Sequence, residues 1–465
     1  MALTRIWGSF IIISILVALI KIMATDNKMV FSSMVTGKAG DTVRLRTADT
    51  TVLTSQQLMK LDSSKFLQLS NSFIARTPDH RLQYFQIQSA DGIIETCKGA
   101  VTISFGLIGI MALFMGFMSI AERAGGIRLL SRIIGPFFSR IFPDIPKGHP
   151  SMGHMVMNFS ANLLGLDNAA TPFGLKAMES LQELNPDKSV ASNSQIMFLC
   201  LHASGLTLIP VTVIATRAAL RAHDPTDIFV PCMIATFSST VAALLIVSFR
   251  QKINIFQPVI LAWIGGLSVI IALLVVYLTN IPADRVQTVS GLLSNSIILL
   301  IFLLIVLGGL YKKINIFDAF IDGAKGGFDI SIRIIPYLVG ILVAISMLRT
   351  SGTFDAIIDA VKSIFSAVGA DTRFVEALPT ALIRPLSGSG ARGMMIATMQ
   401  AHGPDSFVGR LSCILQGSSD TTFYVIAVYF GAVSIKDTRY SLGAMLFADL
   451  VGIITAILVC YLFFG

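Results

Sequence analysis

Charge is what this chain has least of. Aspartate, glutamate, lysine and arginine make up 13% of its 465 residues, against about a quarter in a soluble domain. An ordinary soluble protein is excluded. The five cysteines, Cys97, Cys200, Cys232, Cys413 and Cys460, show no CxxC spacing. That argues against a thiol redox pair or a cysteine metal site, and they read as small buried apolar residues. Neither H-E-x-x-H nor G-x-S-x-G occurs, and the six histidines are scattered. No hydrolase signature remains, so the chain is not read as an enzyme. Acidic residues are the scarcer sign, leaving a net charge of +8. The basic residues sit beside apolar runs rather than on one solvated face. They read as cytoplasmic loops of a membrane protein, not as a nucleic-acid surface.

What is present is apolar. Hydrophobic residues make up 54% of the chain and mean hydropathy is +0.75. Runs near 20 residues long occur at Ile6–Ala24, Val101–Ala121, Phe229–Phe249, Val259–Thr279, Leu292–Tyr311, Ile330–Leu348 and Leu442–Phe464. Each is long enough to cross a hydrocarbon core as a helix. The first run reads as a retained helix rather than a signal peptide, since it carries Lys21 and lacks an A-x-A site. Residues 25–95 differ in kind, being polar and mixed in charge. Within them Thr42–Thr47 and Leu82–Ile87 alternate like short strands. They are expected to form a small extracytoplasmic insert. Arg123, Arg128, Arg132, Arg140 and Lys147 follow one span, Arg250 and Lys252 another, and Lys312 and Lys313 a third. Together with Arg5, they place the N-terminus inside.

The chain also repeats itself. Lys98-Gly99 and Ile103-Ser104 recur 227 positions later as Lys325-Gly326 and Ile330-Ser331, and Gly125 then meets Gly352. At an offset of 214, Leu201, Ser204, Thr207, Val211 and Ala218 meet Leu415, Ser418, Thr421, Val425 and Ala432. The orientation rule brings the helix at Lys98 in from outside and its copy at Lys325 in from inside. The halves are therefore expected to be inverted, which requires an odd connector, here the span at 259–279. Each half then carries an amphipathic stretch (Gly126–Phe142, Thr353–Val368) and a broken segment rich in Gly, Pro or Asn (His149–Met178, Ala377–Met399). The broken segments read as re-entrant hairpins, tolerable at depth only where protein or water satisfies their backbone. The fold class that follows is an all-α polytopic membrane protein of two inverted repeats. The boundaries expected are 1–24 first span, 25–95 insert, 96–252 first repeat, 253–288 connector and 289–465 second repeat.

Candidate binding residues lie in matching places of the two halves. The first half offers Asn158, Asn162, Asp167, Asn168 and Thr171, then His202, Ser204 and Thr207. The second offers Arg384, Ser387, Ser389 and Arg392, then Gln416, Ser418, Ser419, Asp420 and Thr421. Free amides at a broken helix start favour an anion, and carbonyls at an unwound stretch favour a cation. Ionisable groups inside a bilayer are costly and usually mark a pathway or a pair, which singles out Arg384, Arg392 and Asp420. The structural alternatives stay open. Small residues also permit close helix packing, Arg384 and Asp420 also suit a purely structural ion pair, and Asp167 also suits a helix cap.

The stretches Lys98–Pro143, Phe142–Pro146 and Gly165–Met178 resemble spore maturation protein A. Leu382–Gly390, His402–Phe407 and Gln416–Val433 resemble spore maturation protein B. Both belong to the nucleoside-recognition or Gate superfamily, which is similar to concentrative nucleoside transporters and the membrane part of ferrous-iron transporter B. The resemblance implies a natural fusion of the two and a transporter-like fold. No cysteine aligns with the two motifs as an iron site prefers, and two arginines are more than a neutral nucleoside needs. The expectation is an inner-membrane secondary transporter of a small polar or anionic solute, with no cofactor beyond a coupling ion, Na+ or H+. Its partners would be the solute, the bilayer and, as an open candidate, a second copy of the chain. The alternative is a scaffold or sensor that has kept a transporter fold.

Overall fold

The computed structural model describes residues 2–25, 29–37, 42–48, 66–69, 72–76, 82–87, 92–163, 167–207, 209–280, 283–367, 369 and 371–465. The chain opens with α1 (Ala2–Thr25) and α2 (Met29–Thr36). Strands β1 (Thr42–Ala48), β2 (Phe66–Leu69), β3 (Ser72–Arg76) and β4 (Leu82–Ile87) then form one antiparallel sheet in the order β1-β4-β3-β2. The two stretches whose alternation predicts strands are β1 and β4, and they pair with each other.

The first half continues through α3 (Ile93–Arg123), α4 (Gly126–Ile141), α5 (Pro150–Leu163), α6 (Asp167–Leu184), α7 (Asn193–Ala203), α8 (Val211–Ala219) and α9 (Phe229–Gln251). A connector, α10 (Pro258–Thr279), leads to α11 (Ala283–Tyr311), α12 (Ile316–Thr350) and α13 (Thr353–Ala367). A 3-10 turn at Arg373–Ala377 precedes α14 (Leu378–Ile383), α15 (Gly388–His402) and α16 (Phe407–Gly417). The short α17 (Thr422–Val425) runs into a π turn at Ile426–Phe430, and α18 (Ser441–Phe464) closes the fold.

Among the described residues six helices are long and apolar enough to cross a membrane, and a seventh span arises if Leu338–Thr350 and α13, bent by 73°, count as one. The protein is a multi-pass helical membrane protein. The connector presents Val269, Ile270, Leu273 and Val276 outward, as a lipid-facing helix must.

The repeat is visible in the bonding. Ser104 donates to the Ala100 carbonyl at 2.9 Å and its copy Ser331 to the Gly327 carbonyl at 3.0 Å. Gly125 and Gly352 precede α4 and α13 at φ of +85° and +76°, a backbone that glycine adopts without strain. Ser192 caps α7 and Ser406, 214 positions on, caps α16.

Equivalent helices pack on each other and run antiparallel. Gly116 faces Phe320 and Gly323, while Met111 and Ala112 face Gly327, so numbering falls along α3 as it rises along α12. A Cβ at Gly323 would sit 2.3 Å from the Met115 carbonyl oxygen. Small residues are what allow two membrane helices to approach this closely. In the second pair, Gln251 at the end of α9 donates to the Tyr440 hydroxyl just before α18 at 2.8 Å. Ser239 in mid-helix donates to the Ala448 carbonyl at 3.0 Å. Two further sets of contacts are reciprocal: α1 packs on α12 and α11 on α3, while α16 packs on α9 and α7 on α18.

Candidate functional site

Both halves break at the same place. The first unwinds between Ala203 and Val211, the second between Gly417 and Thr422. The two breaks meet: the Asp420 amide donates to the Ala203 carbonyl at 2.8 Å. Gly205, at φ +64°, lies so close that a Cβ there would come within 3.1 Å of the Asp420 nitrogen. Backbone groups that helices normally satisfy internally are thus exchanged between the halves.

The α5–α6 hairpin supplies one wall. Asn158 donates to the Ala170 carbonyl across the hairpin at 2.7 Å. His202, at the end of α7, is 5% exposed. Its Nδ1 lies 2.7 Å from Asn162 Nδ2 and 3.1 Å from Asn158 Oδ1, and its Nε2 lies 3.8 Å from Asp420 Oδ2. The Tyr429 ring meets the imidazole edge-on at 4.9 Å, and Thr171 and Asn158 lie within hydrogen-bond reach of its hydroxyl. Gly174 makes this fit possible, since a Cβ there would sit 2.5 Å from the tyrosine ring and 2.8 Å from Asn158 Nδ2.

The α14–α15 hairpin supplies the opposite wall. Arg384 donates to the Ser419 carbonyl through Nη2 and to Thr421 Oγ1 at 3.3 Å through Nη1. The Phe423 amide donates to the Pro385 carbonyl at 2.9 Å, and Gln416 to the Gly388 carbonyl at 3.4 Å. Ser419 and Thr421 are buried, whereas the Asp420 side chain is 42% exposed.

The structure therefore brings Asn158, Asn162, Thr171 and His202 of one half to Arg384, Gln416, Ser419, Asp420 and Thr421 of the other. Other candidates spend their hydroxyls locally. Ser204 and Ser418 donate to the Leu201 and Leu415 carbonyls of their own helices, Ser204 also to Thr240 at 3.0 Å. Thr207 donates to the Gly205 carbonyl. Ser387 caps α15 by accepting from the Gly390 amide, with Ser389 Oγ 3.3 Å away. Arg392 is half-buried on α15. Asp167 and Asn168 open α6, and their side chains lie outside the described residues.

Two site residues escape the sequence reading. Asp449, 3% exposed on α18, accepts from Thr422 Oγ1 at 2.7 Å. A lone carboxylate in an apolar span was the signal for it. Tyr429 carries no such signal. A buried ion-pair cluster, also unread, lies apart from the breaks: Arg217 Nη2 stands 2.9 Å from Asp227 Oδ1 and 3.2 Å from Asp405 Oδ1, and Arg410 Nε stands 2.8 Å from Asp227 Oδ2. Among the described residues no group of three or more His, Cys, Asp or Glu is placed to hold a metal ion.

The family model described as nucleoside recognition, Gate, matches residues 104–284 and 331–436. Spore maturation protein B of Bacillus subtilis (strain 168) is 47% identical over 173 residues, covering 37% of this chain and 96% of the relative. Spore maturation protein A of the same organism is 47% identical over 156 residues, covering 34% of this chain and 80% of the relative. The chain joins a stretch similar to each. No solved structure matches it.

Proposed function

The chain belongs to the nucleoside-recognition Gate family, and from that premise we propose a secondary transporter, not an enzyme, that carries a small polar or anionic solute across the inner membrane. One observation carries the reading: two unwound helix breaks, one per half, cross at the bond from Asp420 to Ala203, between two helical hairpins. Irregular backbone at membrane depth is tolerated where it lines a cavity or is buried in protein, and broken helices of this kind form substrate sites. The donors there are Arg384 and Asn162, and the open acceptor is Asp420. Arginine suits a carboxylate or phosphate because its planar fork binds two oxygens at once. Asp420 suits a cation or proton carried with the solute.

In this reading the two repeats are inverted, with the N-terminus in the cytoplasm and residues 25–95 outside. The antiparallel course of α3 against α12 and of α9 against α18 supports it, as does charge. The interfacial helix α4 carries Arg128, Arg132 and Arg140 and no acid, while α13 carries Asp355, Asp359 and a single Lys362. That is the asymmetry expected of a cytoplasmic and an outer surface.

A thermal-shift screen of metabolites and ions on the purified protein identifies the solute, since a ligand at 100 times its Kd adds about 2.7 kcal/mol to the folded state. In proteoliposomes Arg384→Lys is then expected to lower solute flux at least tenfold while the protein stays folded, and Asp420→Asn to change chiefly the dependence on ion or pH. Wild-type flux in both variants would make Arg384 and Asp420 structural residues, whereas a wild-type protein that moves no solute in proteoliposomes would contradict the transporter and leave the scaffold reading.

A further inference from the structure

We propose that His202 and Asp420 together bind one proton at the crossing of the two halves, which makes the proton the ion coupled to the solute. The coupling rests on the transporter reading; the proton site does not. Three features carry it. First, the pair spans the halves: His202 closes α7 of the first, and Asp420 stands in the break of the second, with 3.8 Å between Nε2 and Oδ2. Second, access is graded. The carboxylate is 42% exposed and the imidazole 5%, so a proton arriving from water meets Asp420 first and the imidazole behind it.

Third, Nδ1 is furnished for either protonation state. It faces a donor, Asn162 Nδ2 at 2.7 Å, and an acceptor, Asn158 Oδ1 at 3.1 Å. With Nδ1 bare, the neutral ring accepts from Asn162 and turns Nε2–H toward Asp420. With both nitrogens protonated, Nδ1–H donates to Asn158 and the imidazolium faces the carboxylate. A histidine that serves only to fill space needs one of these partners, not both. Protonation exchanges the bond from Asn162 for the bond to Asn158, with the Asn162 amide turning its N–H away from Nδ1–H, and the charge it adds is matched across the interface.

Around the imidazole also stand the Tyr429 ring, the Phe198 ring at 6.2 Å and the uncharged α5 amides. On the far side of Asp420 stand Arg384, bonded to Ser419 and Thr421, and Asp449, bonded to Thr422. A protonated pair is neutral in sum with its carboxylate and holds the two breaks together. Loss of the proton leaves Asp420 unmatched and weakens that tie.

Solid-state NMR of the full chain in lipid bilayers, with 15N-labelled histidine, tests this directly. The chain has six histidines, and His202→Gln assigns the signal. The result expected is a His202 ring that passes from doubly protonated to neutral between pH 5 and pH 8. Asp420→Asn should lower that midpoint by a unit or more, about tenfold in proton affinity. Asp420 is partly open, so this variant is expected to fold. A ring that stays neutral down to pH 5, or the same midpoint in Asp420→Asn, overturns the proposal. No solute enters the measurement, so a titrating pair in a protein that moves no solute would contradict the transporter reading and leave the proton site standing.

Discussion

At the scale of single residues, the site depends on one missing methyl group. Gly174 lets Tyr429 and Asn158 reach His202, so Gly174→Ala forces the tyrosine ring aside. Overpacking of this kind costs about 1–3 kcal/mol, and the variant should melt several degrees lower while its far-UV spectrum is unchanged. A melting point equal to wild type would mean that Tyr429 has room to move. Nothing in the sequence marks Gly174 or Tyr429, because their meaning lies in a contact 255 positions apart. Asn158, His202, Arg384 and Asp420 were legible for the opposite reason: polar or ionisable residues in apolar surroundings are expensive, and their cost is visible without a structure. Ser204 and Ser418 carried the same signal and turned out to bond their own helices. A hydroxyl can always fall back on a nearby carbonyl, whereas a guanidinium cannot.

At the scale of elements, two arrangements hold the hairpins and breaks in place. Glu376, in the 3-10 turn before the second hairpin, is held by His402 Nε2 at 3.1 Å and by Lys362 of α13. Those hydrogen bonds push its carboxyl down to about 2 from an ordinary 4.5. A depressed acid stabilises the fold above its unfolded value and loses that contribution as pH falls toward its folded one. Glu376→Gln should therefore cost about 1–2 kcal/mol at pH 7, less between pH 4.5 and pH 2, and nothing below. Thermal melts of both proteins across that window check the sign, and a gap that widens in acid would refute it.

The second arrangement is the Arg217–Asp227–Arg410–Asp405 cluster, which fastens the start of α16 to the loop after α8. Its counterpart fastens the start of α7 to the loop before α18, where Arg439 donates to the Ala191 carbonyl at 3.1 Å and to Asn193 Oδ1 at 3.0 Å. Asp227→Asn removes a fully buried charge that faces two arginines and should cost about 3–5 kcal/mol, read as loss of monodisperse protein on purification or a large fall in melting temperature. The sequence could not assemble this cluster, since Arg217 and Asp227 stand in one half and Asp405 and Arg410 in the other, and each reads alone as a charge near a helix end.

At the scale of the whole molecule, hydropathy and the repeat carried most of the architecture. Seven apolar runs became helices, the amphipathic stretches and hairpins fell where the repeat placed them, and β1 and β4 paired. Periodicity reaches this far because each span must satisfy its own backbone, which leaves a helix as the only local answer. It did not reach the crossing of the breaks, which depends on how two non-adjacent helices meet. The account as a whole rests on halves that are opposed across the bilayer, because opposition is what allows one site to face either side in turn. The most direct measurement is the sidedness of two surface serines on repeat-equivalent helices, Ser139 of α4 and Ser363 of α13, both exposed. Each is replaced by cysteine in a background where the partly exposed Cys97 is serine, and labelled with a membrane-impermeant maleimide in sealed inside-out and right-side-out vesicles. The account predicts that Ser139→Cys labels only from the cytoplasmic side and Ser363→Cys only from the outer side. Labelling of both from the same side would contradict it.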